Sequence, residues 1–242
     1  MQFAAKTDTG RVRSLNEDAC SVGSYSEQYA WGIVCDGMGG ALAGEVASQT
    51  AVDFIESRIK KAYRRDMSEL SARYLLMSAI IAANILIHDD SCKNVEHRGM
   101  GTTIVAYVVL KSSVVCASVG DSRGYHFSKN KLEQITHDHS LVQELIDAGK
   151  LTVEESKNYP HRNIITRVLG TQENVEIDFF TIPFMKNDRF LICTDGLTNM
   201  VSADVIEEVI KKEKTDNVPL RLIELANENG GTDNITVAII EK

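Results

Sequence analysis

The chain lacks any Cys-x-x-Cys pair, and its cysteines are odd in number: Cys20, Cys35, Cys92, Cys116 and Cys193. A complete disulfide framework is thereby excluded, and no zinc-type ligand spacing appears. Cys35, Cys116 and Cys193 sit inside apolar runs, where a free thiol behaves as a small hydrophobe. Basic residues are in deficit, 26 Lys and Arg against 34 Asp and Glu, for a formal charge of −8. A nucleic-acid binder would carry a basic patch or stripe, so that class is set aside, and the acidic balance suits a protein that gathers divalent cations. No long apolar run is present. The most apolar stretch, Leu75 to Ile87, is broken by Ser78 and Asn84 and falls short of the roughly 20 residues a membrane-spanning helix needs. The first residues, Met1 to Asp8, carry no signal-peptide core. The expectation is a protein of the reducing cytoplasm, with no membrane insertion.

Several catalytic signatures are missing too. No Walker loop and no Gly-x-Ser-x-Gly elbow occurs. Gly37-Met38-Gly39-Gly40 is not a dinucleotide loop, because position 42 is Leu42 where that motif needs Gly or Ala. Asp195 is not an aspartyl nucleophile of the Asp-x-Asp kind, because position 193 is Cys193.

What is present is a set of four aspartates at strand ends. Trp31 to Cys35 runs into Asp36-Gly37, Ala117 to Gly120 into Asp121, and Phe190 to Thr194 into Asp195-Gly196. Asp233-Asn234 instead precedes the apolar run 235–240. Asp-Gly is a common turn dipeptide, and a single one would signify only a turn. Four acids held at strand ends, with glycines allowing close approach, point to one shared pocket for hard, oxygen-preferring cations.

The 242 residues are 43% hydrophobic and 25% charged, ordinary for one large globular domain. Apolar patterning predicts strands over 2–8 and 18–36, the latter with a turn near Tyr25. It predicts a helix marked by Val46, Thr50, Phe54, Ile55, Ile59 and Ala62, and a second marked by Leu70, Tyr74, Met77, Ile81 and Ile85. Short strands over 102–110, 114–119 and 124–127, with tight links, read as an antiparallel meander. A helix from Ser140 to Ala148 ends at Gly149. Residues 149–173 form an irregular excursion of the kind that covers a site. Strands near 175–182 and 188–194, helices near 202–213 and 217–228, and a last strand over 235–240 complete an α+β order.

Seven motifs occur in sequence: Arg13-Ser-Leu-Asn-Glu17-Asp18, Asp36-Gly-Met-Gly-Gly, Gly101-Thr-Thr, Gly120-Asp-Ser-Arg, Asp138-His-Ser, Asp195-Gly-Leu and Gly231-Thr-Asp-Asn-Ile-Thr-Val. Together they resemble the metal-dependent protein phosphatases of the PPM, or type 2C, family in its compact bacterial form. The resemblance covers about residues 1–240. It implies a four-layer α-β-β-α sandwich of two antiparallel sheets flanked by helix pairs, with a flap at 149–173. It also implies hydrolysis of phosphoserine and phosphothreonine with two Mn2+ or Mg2+ ions and a weaker third. Asp36 would bridge the pair, with the Gly37 carbonyl completing one ion. Asp195 and Asp233 would hold the other, and Asp121 would share the third with Asp195. Glu17, Asp18 and Asn234 would act from behind these ligands. The partners implied are phosphoproteins and a cognate Ser/Thr kinase, with the phosphatase working as a monomer. Arg13 is the candidate phosphate fork, since a guanidinium matches two phosphate oxygens and stays charged. Paired cations also suit the chemistry, because they lower the pKa of a shared water and clamp an in-line displacement.

Many eukaryotic members carry histidine after the Asp-Gly, and here the residue is Met38, which cannot donate a proton. The leaving oxygen must take its proton from metal-bound water or another residue. His137 and His139 read as structural. The rival reading, a non-catalytic metal-binding or interaction module, is disfavoured by the intact set Arg13, Asp36, Asp195 and Asp233.

Overall fold

The computed structural model describes residues 1–39, 43–64, 66–156 and 159–242; Gly40 and Leu42 of the glycine loop lie outside the described residues. In chain order the elements are β1 (Gln2–Asp8), β2 (Asp18–Ser26), β3 (Tyr29–Met38), α1 (Ala43–Ala62), α2 (Glu69–Lys93), β4 (Gly101–Thr102), β5 (Ile104–Val109), β6 (Ser113–Val119), β7 (Arg123–Ser128) and β8 (Lys131–Gln134). There follow α3 (Leu141–Asp147), α4 (Val153–Ser156), β9 (Asp178–Pro183), β10 (Arg189–Cys193), α5 (Asp195–Thr198), α6 (Ala203–Lys212), α7 (Val218–Glu228) and β11 (Ile235–Glu241). One sheet runs β1-β11-β10-β7-β8; the other runs β2-β3-β5-β6-β9, with β4 paired to β3. Each strand pairing is antiparallel.

The central strands are apolar on both faces because both faces are covered. In β5, Ile104, Ala106 and Val108 pack under α1 and α2, while Val105, Tyr107 and Val109 point between the sheets. In β11, Ile235, Val237 and Ile239 meet α6 and α7, while Ala238 and Ile240 face the other sheet. The result is the expected four-layer α-β-β-α sandwich. Cys35, Cys116 and Cys193 are buried free thiols within it.

Two expectations change. The run from β5 to β8 is not one meander. β5 and β6 pair in one sheet, and β7 and β8 pair in the other. The chain crosses between sheets at Gly120-Asp121-Ser122, where Gly120 has φ +105. In α2 the buried row is Ala72, Leu76, Ala79, Ile80, Ala83 and Ile87, whereas Leu70, Tyr74, Ile81 and Ile85 are exposed. The helix is apolar nearly all round, so periodicity alone does not choose its inner face. Alanines allow the close approach to α1 and the sheet, and they displace the larger residues outward. α2 also outruns the Leu75–Ile87 stretch, and by composition it is long and apolar enough to cross a bilayer. Its inner face is instead packed in the core against α1 and the sheet.

Candidate active site at the shared end of the sheets

Strand register brings the candidate acids to one end of the sandwich. Asp18 opens β2 directly opposite Asp36 on β3. On the other sheet Cys193 pairs with Arg123 on one side and Val237 on the other. The Asp121 crossing, the start of α5 at Asp195, and the Asp233-Asn234 turn therefore meet at that same edge.

Each acid is fixed by its backbone. The Asp36 N–H donates to Thr103 Oγ1 (3.0 Å), and its carbonyl accepts from Thr103 N–H and Thr102 Oγ1 (both 2.9 Å). β3 does not turn after Asp36 but runs on through Gly37 and Met38, pairing with β4. Gly37 is required there, because a Cβ would lie 2.1 Å from the Gly44 carbonyl oxygen at the start of α1. Asp195 is not a strand-end turn residue but the first residue of α5, and its Oδ2 accepts from Asn199 Nδ2 at 3.0 Å. Asn234 ties the edge together. Its Oδ1 accepts from the Glu17 N–H (2.8 Å), and its Nδ2 donates to the carbonyls of Thr9 (2.9 Å) and Leu15 (2.8 Å). The loop that carries Arg13 is thereby anchored to the turn that carries Asp233.

Arg13 forks onto Asp233 itself, with Nε 2.9 Å from Oδ1 and Nη2 3.0 Å from Oδ2. That pairing, hydrogen bond first, holds the guanidinium above its usual pKa. The candidate phosphate fork and a candidate metal ligand are thus paired with each other.

The remaining acids are crowded. Burial raises Asp36 well above the ordinary carboxylate range, and the charges of Asp18, Asp195, Asp121 and Asp233 add to it. Burial, then Asp233, raises Asp195, which is close enough to Asp36 to share a hydrogen bond. Asp121 is pushed up to about 7 by burial and then by Asp195. Asp18 is pushed up to about 7 by burial, although Thr194 Oγ1 donates to its Oδ2 at 2.9 Å. Burial also raises Glu17. Two oxygens here, Asp18 Oδ1 and Asp121 Oδ1, are buried without a hydrogen-bond partner. An orphaned buried carboxylate oxygen is costly unless a cation or proton meets it. The donors are oxygens only, as hard divalent ions that keep several waters prefer. Among the described residues no three Asp, Glu, His or Cys side chains close into a ready-made cage, consistent with Arg13 occupying Asp233. The residues therefore fit divalent cations, with Asp233 needing to leave Arg13 to serve as a ligand.

Two hollows flank Asp195. One, of about 570 Å³, includes Arg13, Glu17, Asp36, Met38 and Asp233 in its lining. The other, of about 590 Å³, includes Asp121, Arg123 and Asp138. Arg162 and Asn163 of the 149–173 excursion line both. Residues 157 and 158 of it lie outside the described residues. Sequence reading placed Arg162 in the covering excursion without singling it out as a site residue and missed Asn163, since the irregular stretch has no pattern to mark either. It also missed Asn199, whose i+4 spacing from Asp195 was a usable signal. His137 pairs with Asp147 at 2.7 Å, and His139 is buried, in keeping with their structural reading.

Residues 9–221 match the family described as Protein phosphatase 2C. The serine/threonine phosphatase Stp of Listeria monocytogenes is 41% identical over 248 residues, covering 100% of this chain and 96% of the relative. The crystal structure of the serine/threonine phosphatase Stp1 from Staphylococcus aureus superposes with a TM-score of 0.92 at 38% identity, covering 100% of this chain and 94% of that one. The catalytic domain of the phosphatase PstP, solved in complex with two manganese ions, gives 0.88 at 34% identity, covering 99% and 97%. With the family model matching most of its length and relatives similar over the whole of it, the chain belongs to the protein phosphatase 2C family.

Proposed function

We propose that this protein serine/threonine phosphatase removes phosphate from phosphoserine and phosphothreonine in proteins, using divalent cations held at the carboxylate edge, and that it opposes a Ser/Thr kinase in the cytoplasm. The observation that carries the reading is the cluster of buried acids with two unpartnered oxygens beside a guanidinium fork. Asp36 would serve two ions, with the Gly37 carbonyl beside it, and Asp195 and Asp233 would serve the second. Asp121 faces Asp195 across the second hollow and would share a weaker third ion with it. When bound, Mn2+ or Mg2+ supplies Lewis acidity that ionises water near neutral pH and offsets phosphoryl charge.

The chain's own groups do the rest. Arg13, half exposed at the rim, takes two phosphate oxygens once it lets go of Asp233. Asn234 holds the Arg13 loop in register with Asp233. Asp18 and Glu17 add negative potential behind Asp36, strengthening its hold on cations. Arg162 and Asn163 cover the cleft and limit bulk water. Met38, exposed in the first hollow, presents no proton to the leaving oxygen.

The test is phosphate release from phosphoserine and phosphothreonine peptides in excess EDTA and after Mn2+ or Mg2+ is returned. Release only with the cation is expected. Turnover undiminished by chelator would refute the cation-dependent reading.

A further inference from the structure

His139 is 4% exposed and hydrogen-bonded at both ring nitrogens. Its Nδ1 accepts from the Gly120 N–H at 3.0 Å, so the ring proton sits on Nε2, which donates to Asp178 Oδ2 at 3.1 Å. Its backbone is used as fully. The His139 N–H donates to the Gly120 carbonyl at 2.9 Å, and its carbonyl accepts from the Thr166 N–H at 2.8 Å. The next residue, Ser140, bridges to Ile165. Gly120 is thus bonded twice to one histidine. It has no slack on its other side, where a Cβ would lie 2.6 Å from Thr103 Cγ2. Thr103 in turn holds the Asp36 N–H and sits 2.7 Å from Ser122 Oγ. Beyond the ring, Asp178 lies 3.4 Å from Arg167 Nη1, on the limb that returns from the excursion over the cleft.

These contacts form one continuous chain: Asp36, Thr103, the turn around Asp121, His139, and the limb 164–169. We propose that His139 is a positioning residue that locks the turn carrying Asp121 to the return limb of the excursion, so that the cleft floor and its cover move as one body. The inference rests on the phosphatase reading of the cleft. It goes beyond that reading by assigning two separable tasks to two ring atoms. Nδ1 sets the floor, through Gly120. Nε2 sets the cover, through Asp178 and Arg167. A histidine that merely fills the core would not divide in this way.

Two substitutions split the ring. In His139→Asn, the side-chain oxygen stands near the Nδ1 position and still accepts from Gly120, but the Asp178 contact is lost. In His139→Gln, the longer amide reaches Asp178 and leaves the Gly120 N–H without an acceptor. Asp178→Ala removes the cover contact while leaving the buried ring in place, so it reports even where a His139 variant fails to fold. Turnover of a phosphothreonine peptide is measured with Mn2+, alongside hydrogen exchange of the Gly120 and 164–169 amides. His139→Gln is expected to lower kcat by roughly tenfold, the scale of one lost hydrogen bond, with faster exchange at Gly120. His139→Asn and Asp178→Ala are both expected to raise KM by a similar factor, with faster exchange in the limb and a smaller loss in kcat. The exchange arm needs no turnover, so an inactive wild type would sink the phosphatase reading while leaving this lock testable. Parallel losses in both His139 variants that track thermal stability would overturn the proposal. So would native KM and native limb exchange in Asp178→Ala.

Discussion

Two ends of the same sandwich bury aspartates, and only one of them leaves some aspartates without a full set of partners, although Asp138 there is paired with Arg123. At the end where β10 begins, Asp188 is 6% exposed, and its Oδ2 accepts from the Met185 N–H at 2.8 Å and faces His126 Nε2 at 3.2 Å. At the end where β10 stops, Asp18 is 8% exposed and Asp121 is also mostly covered, yet each keeps one oxygen with no partner. The first arrangement is what a structural acid needs, a donor for its charge. The second leaves an acceptor that a cation or a proton must meet. The contrast separates a site from a cap without reference to any relative.

The largest effect should come from Asp36, the acid proposed to serve both ions. Asp36→Asn is expected to keep the fold and to lower kcat by roughly 10³-fold or more. Asp195→Asn and Asp233→Asn would act on one ion in the proposed site, so combining them should cost far less than the product of the single losses. A near-native rate for Asp36→Asn would erase the difference between the two ends.

Arg13→Ala should be the next largest, and it is informative in two directions. Losing the fork is expected to raise KM and reduce kcat/KM by about 10- to 100-fold, the scale of a charged hydrogen-bond pair. Because Arg13 binds both oxygens of Asp233, the same change should free that carboxylate and tighten Mn2+ binding. Unchanged kinetics and unchanged metal affinity together would return Arg13 to the solvated surface.

Stability against pH sharpens the contrast further. Asp18 and Asp121 have folded pKa values raised from 3.8 to about 7, and Asp36 is raised as well. A carboxyl raised in the fold contributes its stability below the unfolded value and loses it as pH rises through the folded value. The chelated protein should therefore melt lower at about pH 8 than at about pH 5.5 as far as these groups decide. Mn2+ should restore more at the higher pH, where the ligands are ionised. A chelated protein that gains stability across that range would show the acids to be neutralised by other means.

The smallest catalytic effect should come from the opposite end. Asp188→Asn is expected to cost about 1–3 kcal/mol of stability by urea titration, through weakened acceptance of a buried donor. Its kcat and metal affinity should stay native. A large loss of turnover would break the division between the two ends.

Much of this was legible in the sequence, and for a physical reason. Strands buried on both faces leave long apolar runs, and the acids that end them stand out, so Asp36, Asp121, Asp195 and Asp233 could be assigned to one edge. The α+β order and most element spans followed from the same runs, while the four-layer sandwich came from the resemblance carried by the seven motifs. What stayed hidden depends on packing partners. The inner face of α2 is set by alanines such as Ala79 and Ala83, which apolar patterning undervalues against Ile81 and Ile85. The crossing at Gly120 leaves no mark that separates a hairpin from a change of sheet. The fork of Arg13 on Asp233 joins residues 220 apart in sequence, and no local pattern reports it.

Calorimetric titration of the chelated protein with Mn2+, in wild type, Asp36→Asn and Asp121→Ala, tests the central claim most directly. The account predicts a tight component in wild type that Asp36→Asn abolishes, and a weaker one that Asp121→Ala alone removes. Wild-type Mn2+ binding persisting in Asp36→Asn would contradict it.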